Sequence, residues 1–263
     1  MPDWEDAARV FGDVVREYHA KRGRAPDDPS VQSTIRTNSE LVPRRGDNLL
    51  AILEAWTDRG SLSGSRLLEV GSGFGALAAY LALRTGADRV VGVDVRRDFV
   101  ETAADCARRL EIEDRVQYVQ SDMRALHRIG ESGVDVLIAN NAFIYLPTAK
   151  EMDAALREFH KLLSPGGWVL LFHANRWTWR EPFTKAPILH LVPSPVARAI
   201  SRVTGWKHSH GRVRLIAPWE LRWRLRRAGF EDIRFGGFDQ RGLTPGGHFR
   251  SYYAMVARKP VPR

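Results

Sequence analysis

Leu67-Leu68-Glu69-Val70-Gly71-Ser72-Gly73-Phe74-Gly75 is the stretch that decides the fold. Its first four residues read as a buried strand. Three glycines at alternate positions read as a sharp turn, and Ala76-Leu77-Ala78-Ala79 reads as a helix that begins at once. Glycine lets a backbone bend tightly and approach a neighbour closely. Outward from this turn, short Val/Ile/Leu runs alternate with helical stretches. Strands are expected over 66–70, 89–94, 116–119, 134–140 and 167–173, and helices over 76–84, 97–110 and 149–163. Runs with little polar alternation suit parallel strands buried on both faces.

The ends of the chain complete the fold. Trp4, Ala7, Ala8, Phe11, Val14, Val15 and Tyr18 recur at helical spacing, and after a loop with Pro26 and Pro29 a second helix is expected over 47–59. A long irregular stretch, about 174–217, separates the fifth strand from a helix over 218–228, which Gly229 stops. Two last strands, near 232–238 and 251–258, have no helix between them and should pair antiparallel. The expected fold is α/β: a Rossmann-like, seven-stranded, mostly parallel sheet with an antiparallel C-terminal strand and helices on both faces. One domain is expected, divided into a helical cap (1–60), a core (61–173), an insertion (174–217) and a final helix with its hairpin (218–263).

Two carboxylates accompany the glycine turn. Asp94 ends the second strand, nineteen residues after Gly75, where a carboxylate can accept hydrogen bonds from a ribose diol. Glu69 stands two residues before Gly71 and faces the space a pyrophosphate would need; it repels that group but can help hold an ammonium. The spacing is G-x-G-x-G and not the dinucleotide G-x-G-x-x-G, and no Tyr is followed by Lys four residues on. These features argue against a nicotinamide dinucleotide.

The block resembles the first motif of the class I S-adenosylmethionine (SAM)-dependent methyltransferases, over about residues 66–173 and the final hairpin. The resemblance implies that Glu69, Gly71, Gly73 and Gly75 line the methionine part of SAM and that Asp94 binds the ribose hydroxyls. It implies Val95 against the adenine, Asp122 and Met123 at the adenine edge, and Asn140 beneath the transferred methyl. On local sequence alone, a helix N-cap is the rival reading of Asp122.

Methyl transfer from a sulfonium is an in-line displacement that rests on positioning, and a base is needed only if the acceptor holds its proton. The candidate bases are His173, which closes the fifth strand, and His210 in the basic stretch 206–212. The His208/His210 pair lacks a nearby Cys or carboxylate, so no metal site is expected. Asn140-Asn141-Ala142-Phe143 echoes the N-P-P-Y/F motif of N-methyltransferases without its prolines, and reads better as the Asn-Asn of small-molecule enzymes.

Partners are written in the charge. The chain of 263 residues carries a formal net charge of +9; residues 176–234 hold 13 Lys/Arg against 4 Asp/Glu, and the remainder balances at 27 of each. The layout is similar to the O-methyltransferases of ubiquinone biosynthesis, which implies a substrate lid in the insertion and Arg36, with Arg44 as a second choice, against the SAM carboxylate. A short helix starting at Ser194/Pro195 would put Val196, Ala199, Ile200 and Val203 on one face with Arg198 and Arg202 beside it. Such a face could rest on an anionic membrane or pack down as a lid. Outward arginines at 222, 224, 226 and 227 would leave RNA as a weaker option. The leading expectation is O-methylation of a small hydrophobic or anionic metabolite. A tRNA, rRNA or protein methyltransferase and a non-catalytic SAM-binding module are the alternatives. One cysteine, Cys106, no basic-apolar leader and no apolar run of membrane length fit a cytoplasmic protein, free or peripheral at a membrane.

Overall fold

The strand before the glycine turn forms over Arg66–Val70 (β1), the residues its apolar pattern marks. The computed structural model describes residues 2–206, 213–239, 242–245 and 247–262. The chain divides into two units, Met1–Ile138 and Ala139–Arg263.

The first unit holds α1 (Trp4–Ala20), α2 (Pro29–Asn38), α3 (Val42–Trp56), β1, α4 (Ala76–Thr85), β2 (Arg89–Asp94), α5 (Arg97–Arg109), β3 (Val116–Gln120) and most of β4 (Val134–Asn140). Its strands run in the order β3-β2-β1-β4, every pairing parallel, because a helical crossover or a long connection returns the chain each time. Helix α1 is capped by Asp3, whose side chain accepts the Asp6 N–H. It buries Ala7, Phe11, Val14, Val15 and Tyr18, at about 1.5–3 kcal/mol for each of the larger side chains. Cys106 lies in the core of α5, and burial pushes its thiol up to about 12, which leaves it an inert packing residue.

The second unit holds α6 (Ala149–Leu162), β5 (Leu163–Ala174), α7 (Ser194–Thr204), α8 (Pro218–Arg227), β6 (Glu231–Asp239), β7 (Gly242–Pro245) and β8 (Tyr252–Arg258). Its strands run β5-β8-β6-β7, each pairing antiparallel. Thr148 and Glu151 close a capping box at the start of α6. The sheet is thus the mostly parallel Rossmann-like sheet with antiparallel C-terminal strands that the pattern indicates.

Four expectations are corrected. Residues 29–38, expected as loop, form α2: Asp28 caps it, Pro29 opens it, and only Val31 is buried, so the helix has almost no apolar period to show. Helix α3 begins at Val42, not Asp47, and ends at Trp56. Strand β5 begins at Leu163, four residues before the expected start at 167, and runs through Pro165. The connection between the last two long strands contains β7, which gives eight strands among the described residues.

Candidate active site

The glycine turn is stitched to the end of β2. Gly71 and Ser72 donate their N–H groups to the Val93 carbonyl at 2.7 and 3.0 Å. Gly73 N–H reaches the Asp94 carboxylate at 2.9 Å, and Arg96 N–H reaches its other oxygen at 2.9 Å. Asp94 is therefore oriented by backbone from both sides, with lone pairs to spare for a ligand.

The three glycines do different work. All have positive φ: 75° at Gly71, 54° at Gly73 and 82° at Gly75. A side chain at Gly75 would come within 2.5 Å of the Tyr118 ring, whereas one at Gly73 would meet only open space. Gly75 thus serves packing: Tyr118 lies against it and donates its hydroxyl to the Gly75 carbonyl at 2.6 Å. Gly73 keeps open the face where a ligand would approach.

Two side-chain oxygens at this turn make no hydrogen bond within the protein. Glu69 is 4% exposed, and its Oε2 makes no hydrogen bond; neither does the buried Ser72 Oγ. Burial pushes the Glu69 carboxyl up to about 8 against the opposing pull of the Ala78 N–H, with Asp94 adding repulsion. Buried polar atoms are nearly always paired, so these two suit a ligand carrying positive charge and donors. The donor set fits the methionine end of SAM.

Ser121 N–H donates to the Asp94 carbonyl at 3.0 Å, which brings the segment 121–123 beside Asp94 and Val95. Val95 is 60% exposed, an apolar surface next to Asp94. Met123 is half-buried. Asp122 is committed locally: it accepts the Arg124 N–H at 2.8 Å and the Arg124 Nε at 2.9 Å, and this pairing holds its carboxyl below the usual range. Asp122 caps no helix: the nearest begins at Leu126, with Ala125 at its N-cap. Arg36 lies exposed on α2, 3.6 Å from Glu40 one turn on.

In the second unit, Asn140 ends β4 half-buried. Asn141 follows in a left-handed conformation, φ 55°. Its N–H bonds the Phe172 carbonyl at 3.0 Å, and its buried Oδ1 has no hydrogen-bond partner. Non-glycine residues held at positive φ concentrate at functional sites; the signal in the sequence was the Asn-Asn pair itself. His173, next in chain after Phe172, is fully buried. Its ring stacks on Tyr253 at 5.8 Å and meets the edge of Phe143 at 6.4 Å. Nδ1 lies 2.7 Å from the Ala174 carbonyl. A carbonyl only accepts, so in the neutral ring Nδ1 carries the proton and Nε2, without a hydrogen-bond partner, keeps its lone pair. Burial pushes this imidazole down to about 4. His210 lies outside the described residues, as does His208.

Two residues carry no functional signal in the sequence. Tyr18 and His19, at the end of α1, pack on Phe74 of the glycine turn with ring centroids 4.9 and 6.5 Å away. Both ring nitrogens of His19 are buried and lack hydrogen-bond partners. Nothing in their local sequence separates them from other residues on the apolar face of a helix.

Residues 67–167 match the methyltransferase domain family, a span that contains Glu69, the glycine turn, Asp94, Asp122 and Asn140. Methyltransferase GfsG of Streptomyces halstedii is 37% identical over 105 residues, 40% of this chain and 36% of that protein. The ubiquinone biosynthesis O-methyltransferase of Bordetella avium is 27% identical over 226 residues, 84% of this chain and 86% of that one. The crystal structure of magnesium protoporphyrin IX methyltransferase from Synechocystis PCC 6803 with bound S-adenosylhomocysteine (SAH) shares the fold, with a TM-score of 0.60 and 20% identity across 98% of this chain and 100% of that one. The glycine turn with the unbonded Glu69 Oε2, the carboxylate at the end of β2 and the match over residues 67–167 together identify that span as a SAM-dependent methyltransferase domain.

Proposed function

We propose that the protein methylates an oxygen of a small hydrophobic or anionic metabolite. The observation that carries the cofactor half of this reading is the pair of buried, partnerless groups, Glu69 Oε2 and Ser72 Oγ, beside the open face of Gly73. Bound SAM supplies a methyl group on a sulfonium leaving group. The chain's own part is to bind and orient: Asp94 takes the ribose hydroxyls, Glu69 faces the ammonium and Val95 covers the adenine. His173 is the candidate base. Its neutral Nε2 can accept a hydroxyl proton as the new C–O bond forms, and the Nδ1–H bond to Ala174 fixes the ring for that role. Alignment of this kind can supply on the order of 7–11 kcal/mol toward the barrier. The likeness over most of its length to a relative named as an O-methyltransferase supports oxygen as the acceptor atom.

A second reading concerns how a hydrophobic acceptor arrives. The apolar stripe of α7 is exposed at most of its positions, with Ile200 half-buried. Val196 is 46% and Val203 89% exposed, while the opposite face buries Ala197. With Arg198 and Arg202 exposed beside it and Trp179 73% exposed in the same segment, the stripe suits an anionic membrane surface. RNA is less well served. Arg224, expected to face outward, is buried and ion-paired to Asp153 at 2.8 Å and Glu220 at 3.0 Å.

Tritiated-methyl SAM incubated with the protein and a cell extract, then separated into lipid, small-molecule, RNA and protein pools, tests the first reading. Label in the lipid or small-molecule pool is expected, reduced by His173→Asn without loss of SAH binding. Label confined to RNA or protein, or SAH binding with no transfer into any pool, overturns it.

A further inference from the structure

The end of α1 meets the glycine turn and the loop after Asp94 in one connected network. Tyr18 is 8% exposed. Its ring packs edge-on against Phe74 at 4.9 Å and against Phe99 at 5.8 Å, and Phe74 and Phe99 touch at 4.6 Å. Val15 and Ile35 complete this cluster. The Tyr18 hydroxyl donates to Asp98 Oδ2 at 2.7 Å and accepts from Arg96 Nη2 at 2.8 Å. Arg96 also donates to both Asp98 oxygens, at 3.1 and 2.6 Å, and its guanidinium covers the Phe99 ring at 3.8 Å. Arg22, one turn after Tyr18, donates to Asp98 at 2.9 Å and lies over the Tyr18 ring at 3.6 Å. The Arg96 N–H, finally, is one of the two backbone donors that orient the Asp94 carboxylate.

We propose that Tyr18 is a positioning residue for the cofactor: its ring fixes the Phe74 side of the glycine turn, while its hydroxyl fixes Arg96 and, through it, Asp94. The inference rests on the assignment of Asp94 to the ribose. Arg96 is the hinge of the argument. Its side chain answers to Tyr18 and Asp98, and its main chain answers to Asp94, so the rotamer held by α1 sets the direction of one N–H on the ribose acid. The Gly73 N–H on the other Asp94 oxygen belongs to the same turn that Tyr18 presses through Phe74. Both donors to Asp94 are therefore held from one residue of α1, 55 positions before Gly73 and 78 before Arg96 in sequence. The network persists in acid, because Arg96, the Tyr18 hydroxyl and Arg22 hold the Asp98 carboxyl well below the usual carboxylate range.

A control for mere attachment of α1 is built into the same helix. Glu17, next to Tyr18, forms a two-pronged ion pair with Arg109 of α5 at 2.9 and 2.8 Å. It tethers α1 without touching the glycine turn, Arg96 or Asp94. The experiment is SAH titration calorimetry on the full chain with thermal melting alongside, for Tyr18→Phe, Glu17→Ala and Asp94→Ala. Tyr18→Phe keeps the ring packing and removes only the hydroxyl; it should weaken SAH binding about tenfold. Glu17→Ala should leave SAH affinity within about twofold of wild type whatever it does to melting. Wild-type affinity in Tyr18→Phe, or equal weakening in Glu17→Ala, overturns the proposal. Wild-type affinity in Asp94→Ala overturns the ribose assignment instead. Loss of binding in Asp94→Ala with retention in Tyr18→Phe removes the positioning role alone.

Discussion

Glu69 carries a proton question that SAM must answer. Burial pushes its carboxyl up to about 8 in the unliganded protein, so near pH 7 the group is mostly protonated. A ligand cation beside it favours the carboxylate. Binding at pH 7 should therefore release a proton. Calorimetry of SAH binding in buffers of different ionisation enthalpy measures this as a slope approaching one proton per site. Glu69→Gln should abolish the slope, and a wild-type slope of zero removes the ammonium assignment. The stability of the unliganded protein follows the same sign. The folded value lies above the unfolded one, so the Glu69 contribution is complete below about pH 4.5 and is lost as pH rises through about 8. The buried Glu69 carboxyl is thus one that the free protein tolerates less well in alkali.

At the scale of elements, two helical glycines of the same type should respond oppositely to one methyl group. Gly46 in α3 lies beneath the Tyr80 ring of α4, and a Cβ there would overlap ring carbons. Tyr80 cannot easily swing away, because its hydroxyl donates to Asp47 at 2.6 Å and Trp4 meets its ring edge-on at 5.1 Å. Gly12 in α1 has room: a Cβ would meet Ile35 at 3.7 Å, an ordinary contact. Gly46→Ala should destabilise by about 1–3 kcal/mol through overpacking. Gly12→Ala should stabilise by about 0.5–1 kcal/mol through helix propensity. Urea unfolding of both variants gives the two signs, and a shared sign contradicts this account of the helix contacts. The same contrast explains what could be read before the structure. Strands β1, β2 and β4 show their bounds because continuous apolar runs are buried on both faces. Helix α2 was hidden because it buries Val31 alone; its signals, Asp28 and Pro29, are also loop signals. The glycine turn, Glu69 and Asp94 were legible because spacing along one strand–turn–helix sets their geometry. Tyr18, Arg96 and Asp98 were not, because their meeting depends on where α1 lies against the sheet, and no local spacing encodes that.

At the scale of the whole molecule, the positive charge is concentrated and so is the exposed apolar surface. The segment 176–234 holds all of the net charge and exposes Trp177, Trp179, Phe183, Val203, Trp206, Trp219 and Trp223. Aromatic rings and Arg side chains together are the composition of a membrane interface, and each basic group near an anionic bilayer is worth about 1 kcal/mol. Val203 provides a clean probe. At 89% exposure it contributes little to the fold, so Val203→Glu places a charge on the α7 stripe without emptying a core position. The full chain should sediment with phosphatidylglycerol vesicles and not with phosphatidylcholine vesicles, and added salt should weaken the binding within the reach of screening. Val203→Glu should reduce the bound fraction several-fold while leaving SAH affinity unchanged, because both an apolar contact is lost and a repulsive charge is added. Equal binding to both lipids, or an unaffected Val203→Glu variant, would remove the membrane. The charge would then answer to a soluble anionic acceptor, or to RNA if a steep salt dependence of RNA binding were found. Arg224 gives a reason to expect otherwise: the one arginine of α8 taken deep into the fold is neutralised there by Asp153 and Glu220, so it is not held out to meet a phosphate.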